Sequence, residues 1–234
     1  MLVQYHRPAG PDGKRFPTVL FLHGFPGSEK SVDIQRALMA HGIATVAPSF
    51  LGAWGSGGQY RFTTLPAQAA AVLSAARKLA FVDPRRVALF GFSMGGWTAL
   101  AAAARDPKLR AVVAVAPTGG AEMIGPGTID FITRLARPLN TIAPKALAAD
   151  FKKAVTTYDP GRAASRIKAP LLLVHGDADR TIPALVSKRI AKNAGGKVRL
   201  VIERGASHDF LDRRARLTRL CVDFLKRSLK PRRR

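Results

Sequence analysis

Val87-Ala88-Leu89-Phe90-Gly91-Phe92-Ser93-Met94-Gly95-Gly96-Trp97-Thr98-Ala99-Leu100 is the stretch from which the rest of the chain can be read. Its four leading apolar residues, 87–90, predict a short buried strand ending at Gly91. From Met94 onward the residues are small and apolar and continue into an alanine run, 101–104, which suits a helix packed closely on a sheet. Between strand and helix lies a G-x-S-x-G pentad. A chain that turns from strand to helix in so few residues holds its central residue in strained backbone geometry. Glycines two before and two after it remove the Cβ atoms that would collide there. The Ser93 hydroxyl is then carried above the end of the sheet, at the start of a helix, where a nucleophile is useful.

Working outward, apolar runs at 18–22, 43–48, 111–116, 170–175 and 198–202 predict further strands, with a short leading strand at 2–7. Helical spacing is present at 29–41, 65–81, 184–193 and in a final segment carrying Leu217, Leu220, Cys221, Phe224 and Leu225 on one face. Strands that are nearly all apolar and alternate with helices predict a mostly parallel sheet covered on both faces. The alternation breaks at 118–168, which is rich in proline and glycine and has no convincing strand. One to three short helices inserted over the sheet, a cap, are expected there. A single α/β domain over residues 1–234 is the expected organisation.

The composition narrows the function classes. One cysteine, Cys221, leaves no intrachain disulfide and no cysteine metal cluster. No apolar run approaches the ~20 residues of a membrane helix, and the N-terminus lacks a basic segment followed by an apolar one. A cytoplasmic protein is therefore the expectation. The formal charge is +23, and it is uneven: residues 1–100 carry 10 Lys+Arg against 4 Asp+Glu, the remainder 28 against 11. The basic residues from Arg213 to Arg234 face only Asp223 locally. Such a run suits either a patch for nucleic acid or anionic lipid, or a solvated surface. Few aromatics are interleaved with it, so no specific nucleic acid is expected.

In a parallel sheet, chemistry gathers beyond the carboxyl ends of the strands. Four loops leave such ends carrying His23, Ser93, Asp177 with Asp179, and His208. A serine hydroxyl needs a base within hydrogen-bond reach, imidazole suits that role near neutral pH, and a carboxylate is needed to orient the imidazole. The order Ser93, then Asp177 or Asp179, then His208 fits this requirement. His23 and His175, at strand ends, read as structural hydrogen-bonding residues. No H-E-x-x-H motif, carboxylate cluster or phosphate loop is present, and neither metal nor cofactor is expected.

With H-G-F-P-G at 23–27, G-F-S-M-G-G at 91–96, H-G-D-A-D-R-T-I-P at 175–183 and G-A-S-H at 205–208, the chain resembles the α/β-hydrolases. It is most similar to the small members related to dienelactone hydrolases, cinnamoyl-type esterases and the catalytic domain of prolyl oligopeptidases. The likeness spans about residues 18–225. It implies Ser93 as nucleophile, His208 as general base and Asp179, rather than Asp177, as the orienting acid. It also implies an oxyanion hole from the backbone N–H groups of Phe25 and Met94. Unlike dienelactone hydrolases, which carry cysteine at the elbow, this chain has Ser93, and the prolyl oligopeptidase propeller has no counterpart.

The expected activity is a serine esterase acting through an acyl-enzyme. The alternatives are an oligopeptidase-type peptidase, or a basic nucleic-acid- or membrane-associated protein with a non-catalytic fold. The expected partner is a small-molecule ester or short peptide, bound by a monomer or homodimer, with Trp54, Tyr60 and Trp97 as candidate substrate-lining aromatics.

Overall fold

The computed structural model describes residues 1–231. Seven strands, β1 (Val3–His6), β2 (Phe16–Leu22), β3 (Ala44–Pro48), β4 (Val82–Phe92), β5 (Ala111–Val115), β6 (Leu171–Gly176) and β7 (Val198–Glu203), form one sheet in the order β1-β3-β2-β4-β5-β6-β7. β1 runs antiparallel on β3, and every other neighbouring pair is parallel. Parallel neighbours need long crossovers. These are built around helices α1 (Val32–Met39), α2 (Leu65–Ala76), α3 (Met94–Ala103), α4 (Thr128–Ala136), α5 (Pro144–Thr157), α6 (Pro160–Arg166) and α7 (Leu185–Asn193), with α8 (Arg214–Ser228) closing the chain. This is the α/β-hydrolase architecture expected from the sequence.

The apolar strands are buried on both faces because alternate side chains enter separate cores. Leu20, Leu22, Val87, Leu89, Val112, Leu171 and Leu173 pack with α2 to α7 on one side. Val19, Phe21, Ala88, Phe90, Val113, Leu172 and Val174 meet Ile34 and Leu38 of α1 and Leu217, Cys221 and Leu225 of α8 on the other. Cys221 is buried, and desolvation pushes its thiol pKa up. It is a core residue and not a reactive one.

Two boundaries differ from the sequence reading. The helix expected over 65–81 ends at Ala76, because residues 77–82 turn sharply: the Lys78 N–H bonds Ala75 O and the Leu79 N–H bonds Ala76 O. The Phe81 carbonyl accepts from Phe16 N–H at 2.7 Å, and its ring stacks on Tyr5. β4 therefore opens at Val82 and not Val87. It accommodates Pro84 where the pairing with β2 shifts register between Phe16 and Thr18.

Residues 118–168 supply α4, α5 and α6 and no strand, apart from an isolated bridge between Thr141 and Tyr60. Arg189 of α7 ties this segment down by pairing with Asp159 at 2.9 Å and Glu122 at 2.6 Å. No helix among the described residues is long and apolar enough to cross a membrane.

The C-terminal charge is less isolated in space than in sequence. Arg214 reaches Asp33 at 2.7 Å and Glu29 at 3.0 Å, Arg216 reaches Glu203 at 2.6 Å, and Arg213 reaches Asp212 at 3.3 Å. The first of these clamps α8 onto α1, since Asp33 also accepts from Thr218. Asp223 is thus not the sole acidic neighbour of the run, because the fold brings in carboxylates far away in sequence. Arg232, Arg233 and Arg234 lie outside the described residues.

Candidate active site

All the loops singled out above leave the carboxyl edge of the sheet. At the end of β4, Ser93 has φ 54° and ψ −120°, a region that L-residues rarely occupy. Its backbone is held on three sides. The N–H donates to Val115 O at 2.8 Å, and the carbonyl accepts from Trp97 N–H and Thr118 N–H. The flanking glycines are required by close approach. A Cβ on Gly91 would lie 2.1 Å from Gly95 O, and one on Gly95 would lie 1.9 Å from Leu22 O. The α3 helix begins immediately after Ser93, so the positive end of its dipole faces the hydroxyl.

Asp179 and His208 are brought together by the approach of the β6 and β7 loops. Gly176 passes so near Ala206 that a Cβ would sit 2.0 Å from its carbonyl, and Ala178 N–H bonds that same carbonyl. Asp177 accepts from Gly205 N–H at 2.6 Å, which staples the two loops. Asp177 thus takes the loop-bracing place, and Asp179 faces the histidine. His208 Nδ1 donates to Asp179 Oδ2 at 2.7 Å, and His208 Nε2 lies 3.1 Å from Ser93 Oγ. The His208 ring rests on Phe92, with centroids 5.1 Å apart.

Asp179 Oδ1 accepts from the backbone N–H groups of Thr181 and Ile182, both at 2.8 Å. Burial alone would raise the carboxyl pKa. Hydrogen bonds from His175, His208 and Ile182 outweigh it and hold the group far below the usual carboxylate range. Asp179 is therefore ionised, and its charge favours the Nδ1–H tautomer of His208 and leaves Nε2 free to accept the serine proton.

Ser93 opens into a cavity of about 600 Å³. Phe25, Phe62, Met94, Ile132, Leu135 and Phe151 give it an apolar wall, and the exposed residues Ser28, Glu29, Arg180 and Asp209 also border it. Phe62 is the hub of the wall, packing against Phe25 at 4.9 Å and Phe151 at 5.1 Å between centroids. Phe25 and Met94 both border the cavity. The Met94 N–H occupies the first position of α3, where the helix offers it no partner.

Two candidate aromatics lie elsewhere. Trp97 is fully buried on the core side of α3, edge-on to Tyr158 at 5.9 Å, because that helix is pressed against the sheet. Trp54 does not line the cavity. Its indole N–H donates to Pro26 O at 2.7 Å and braces the Phe25 loop from outside. Tyr60 is likewise buried, behind Phe62. The lining residues missed in the sequence, Phe62, Phe131, Ile132, Leu135 and Phe151, come largely from α4 and α5. Phe131, Ile132 and Leu135 follow helical spacing, and that was the available signal.

The Alpha/beta hydrolase family profile matches residues 19–220. The chain belongs to this family. Among curated relatives of this α/β-hydrolase, the quorum-quenching protein AidA of Acinetobacter baumannii (strain MDR-ZJ06) is 27% identical, over 76% of this chain and 75% of that protein. An uncharacterized protein of Mycobacterium tuberculosis (strain ATCC 25618 / H37Rv) is also 27% identical over 82% of this chain, which spans only 63% of that protein's length. Among solved structures, 2,6-dihydroxy-pseudo-oxynicotine hydrolase superposes with a TM-score of 0.78 at 21% identity, covering 97% of this chain and 64% of that one. Est1E from Butyrivibrio proteoclasticus with ferulic acid bound has a TM-score of 0.78 at 23% identity, covering 97% and 94%. These structural likenesses are likenesses of fold.

His23 supports the α/β-hydrolase site from below. Its Nδ1 donates to Gly24 O at 2.7 Å and its Nε2 accepts from Phe50 N–H at 3.1 Å, so it holds the loop that bears Phe25. Gly27, at φ 100°, passes so close that a Cβ would sit 2.3 Å from the His23 ring. Burial lowers the His23 pKa from 6.5 to about 4. The folded state is thus the one that resists protonation. Between pH 6.5 and pH 4 the unfolded chain binds more protons, so the stability this neutral histidine contributes is present above pH 6.5 and lost as pH falls toward 4. The expected loss is on the order of 3 kcal/mol. Urea midpoints measured across that window should fall, and the His23 ring resonance should keep its neutral shift down to the lower end. A resonance titrating near the ordinary histidine value would refute this.

Proposed function

We propose that this chain is a serine hydrolase that cleaves carboxylic esters through an acyl-enzyme intermediate. The observation that carries the reading is the unbroken line from Ser93 Oγ through His208 to Asp179, with spacings of 3.1 and 2.7 Å, at the floor of an apolar cavity. Ser93 Oγ attacks the ester carbonyl carbon while its proton passes to His208 Nε2. The carbonyl oxygen becomes an oxyanion and accepts hydrogen bonds from Phe25 N–H and Met94 N–H, each worth ~3 kcal/mol by deletion in comparable sites. The tetrahedral adduct collapses, the C–O bond to the alcohol breaks, and His208 returns the proton to the departing oxygen. Water then repeats the sequence on the acyl-enzyme, releasing the acid and restoring Ser93.

The wall of Phe25, Phe62, Ile132, Leu135 and Phe151 favours an apolar or aromatic acyl group. The segment 118–168 acts as the cap that supplies three of these residues, Ile132, Leu135 and Phe151. An aromatic acid in Est1E, a structural relative, agrees with this reading.

The test is hydrolysis of p-nitrophenyl esters from acetate to decanoate, beside the p-nitroanilides of the same acids, with fluorophosphonate labelling of the intact chain. Ester turnover with an optimum at longer or aromatic acyl groups is expected, with the adduct mapping to the peptide containing Ser93. Faster cleavage of the anilides would favour a peptidase. Absence of both turnover and adduct would refute the hydrolase reading.

A further inference from the structure

The hydrogen-bonded line does not stop at Asp179. On its far side lies His175, the penultimate residue of β6, whose side chain is wholly buried. Its Nε2 is 2.9 Å from Ile182 O and 3.1 Å from Asp179 Oδ2, and its Nδ1 is 2.7 Å from Ser187 Oγ. The tautomer follows from these partners. A carbonyl oxygen only accepts, so Nε2 carries the proton, which it shares between Ile182 O and the carboxylate. Nδ1 then accepts from the Ser187 hydroxyl, itself buried on α7.

Two imidazoles therefore converge on one carboxylate oxygen. Asp179 Oδ2 receives His208 Nδ1–H from the cavity side and His175 Nε2–H from the core side, while Oδ1 receives two backbone N–H groups. The backbone bonds alone secure a single oxygen and leave the carboxylate free to swing about it. The His175 contact secures the second oxygen and sets the plane in which Oδ2 faces His208. Of the histidines not used in the chemistry, His6 meets Thr45 and His23 holds the Phe25 loop. His175 touches the acid directly.

We propose that His175 is a positioning residue for the reaction. It clamps the Asp179 carboxylate in the plane that orients His208, and is itself anchored to α7 through Ser187. The line of five runs Ser93–His208–Asp179–His175–Ser187. The inference rests on the ester-hydrolase reading above and extends it to two residues that touch neither substrate nor the reacting atoms.

The competing role is purely structural, a tie between β6 and α7. The two are separated by His175→Phe, which keeps a ring and removes both nitrogens, and His175→Gln, whose terminal amide can restore a donor near the Nε2 position. Steady-state kinetics on the best p-nitrophenyl ester are measured for each, beside its melting temperature. His175→Phe should lower kcat about 10- to 100-fold, the size of effect seen when hydrogen-bond partners that orient metal-ligating side chains are removed, with KM unchanged. His175→Gln should recover most of kcat even where its melting temperature falls as far as that of His175→Phe.

Equal losses in both variants, or a change in KM without one in kcat, would overturn the proposal in favour of a structural tie. Should His175→Phe not fold, Ser187→Ala carries the test: a several-fold drop in kcat at constant KM supports the clamp, and an unchanged kcat overturns it. Inactive wild type would strike the ester-hydrolase reading itself, a result distinct from all of these.

Discussion

Replacing Ser93 by alanine should abolish turnover of every ester the wild type cleaves, by a factor on the order of 10⁵ or more, with no fluorophosphonate adduct. The structure gives reason to expect this without unfolding. Alanine keeps the Cβ, so the crowding relieved by Gly91 and Gly95 is unchanged. The three bonds that hold the elbow, to Val115, Trp97 and Thr118, all use main-chain atoms. The side chain makes no capping bond to α3. The remaining cost is the lost contact with His208 Nε2, and that ring reaches the cavity. Thermal stability should therefore stay within about 1 kcal/mol of wild type. Circular dichroism and a melting curve alongside the kinetics check both halves. An alanine variant that is folded and still active would remove Ser93 from the mechanism.

The second large effect is expected from Asp179→Asn, and its cause lies in the arrangement of donors. Oδ1 accepts from two backbone N–H groups, so an asparagine must turn its carbonyl oxygen toward Thr181 and Ile182. Its NH₂ then takes the place of Oδ2 and points at His208 Nδ1. His208 can meet that amide only by accepting, which moves its proton to Nε2. A protonated Nε2 aims an N–H at Ser93 Oγ and cannot take the hydroxyl proton. A loss in kcat of about 10⁴-fold is expected, the magnitude known for a wrong-tautomer histidine.

The same NH₂ faces His175 Nε2, which must give up its own proton there and with it the bond to Ile182 O. Destabilisation of about 1–3 kcal/mol should accompany the kinetic loss. Asp177→Asn, by contrast, should leave kcat nearly unchanged, since Asp177 braces Gly205 and does not meet His208. The pair of variants, measured by kcat and by urea midpoint, decides between the two carboxylates. Equal losses of kcat would refute the assignment of Asp179.

By itself the chain of residues determined the fold class and the order of its strands and helices. The reason is local: a strand buried on both faces must be apolar at every position, and an elbow this tight must have glycines on either side of its central residue. The same reasoning made Ser93, His208 and a nearby acid legible, since each follows the end of an apolar run.

Tertiary structure alone decided matters of distance between segments remote in sequence. It put Asp179, the acid that the resemblance had implied, against His208, and Asp177 against Gly205. It moved Trp97 into the core and Trp54 behind the Phe25 loop, because which side of a helix or loop an aromatic takes depends on what packs there. It paired Arg214 with Asp33 across 181 positions, which no local charge count can reveal. It also set His175 against Asp179, and so joined a buried histidine to the acid of the site through contacts that spacing alone does not specify.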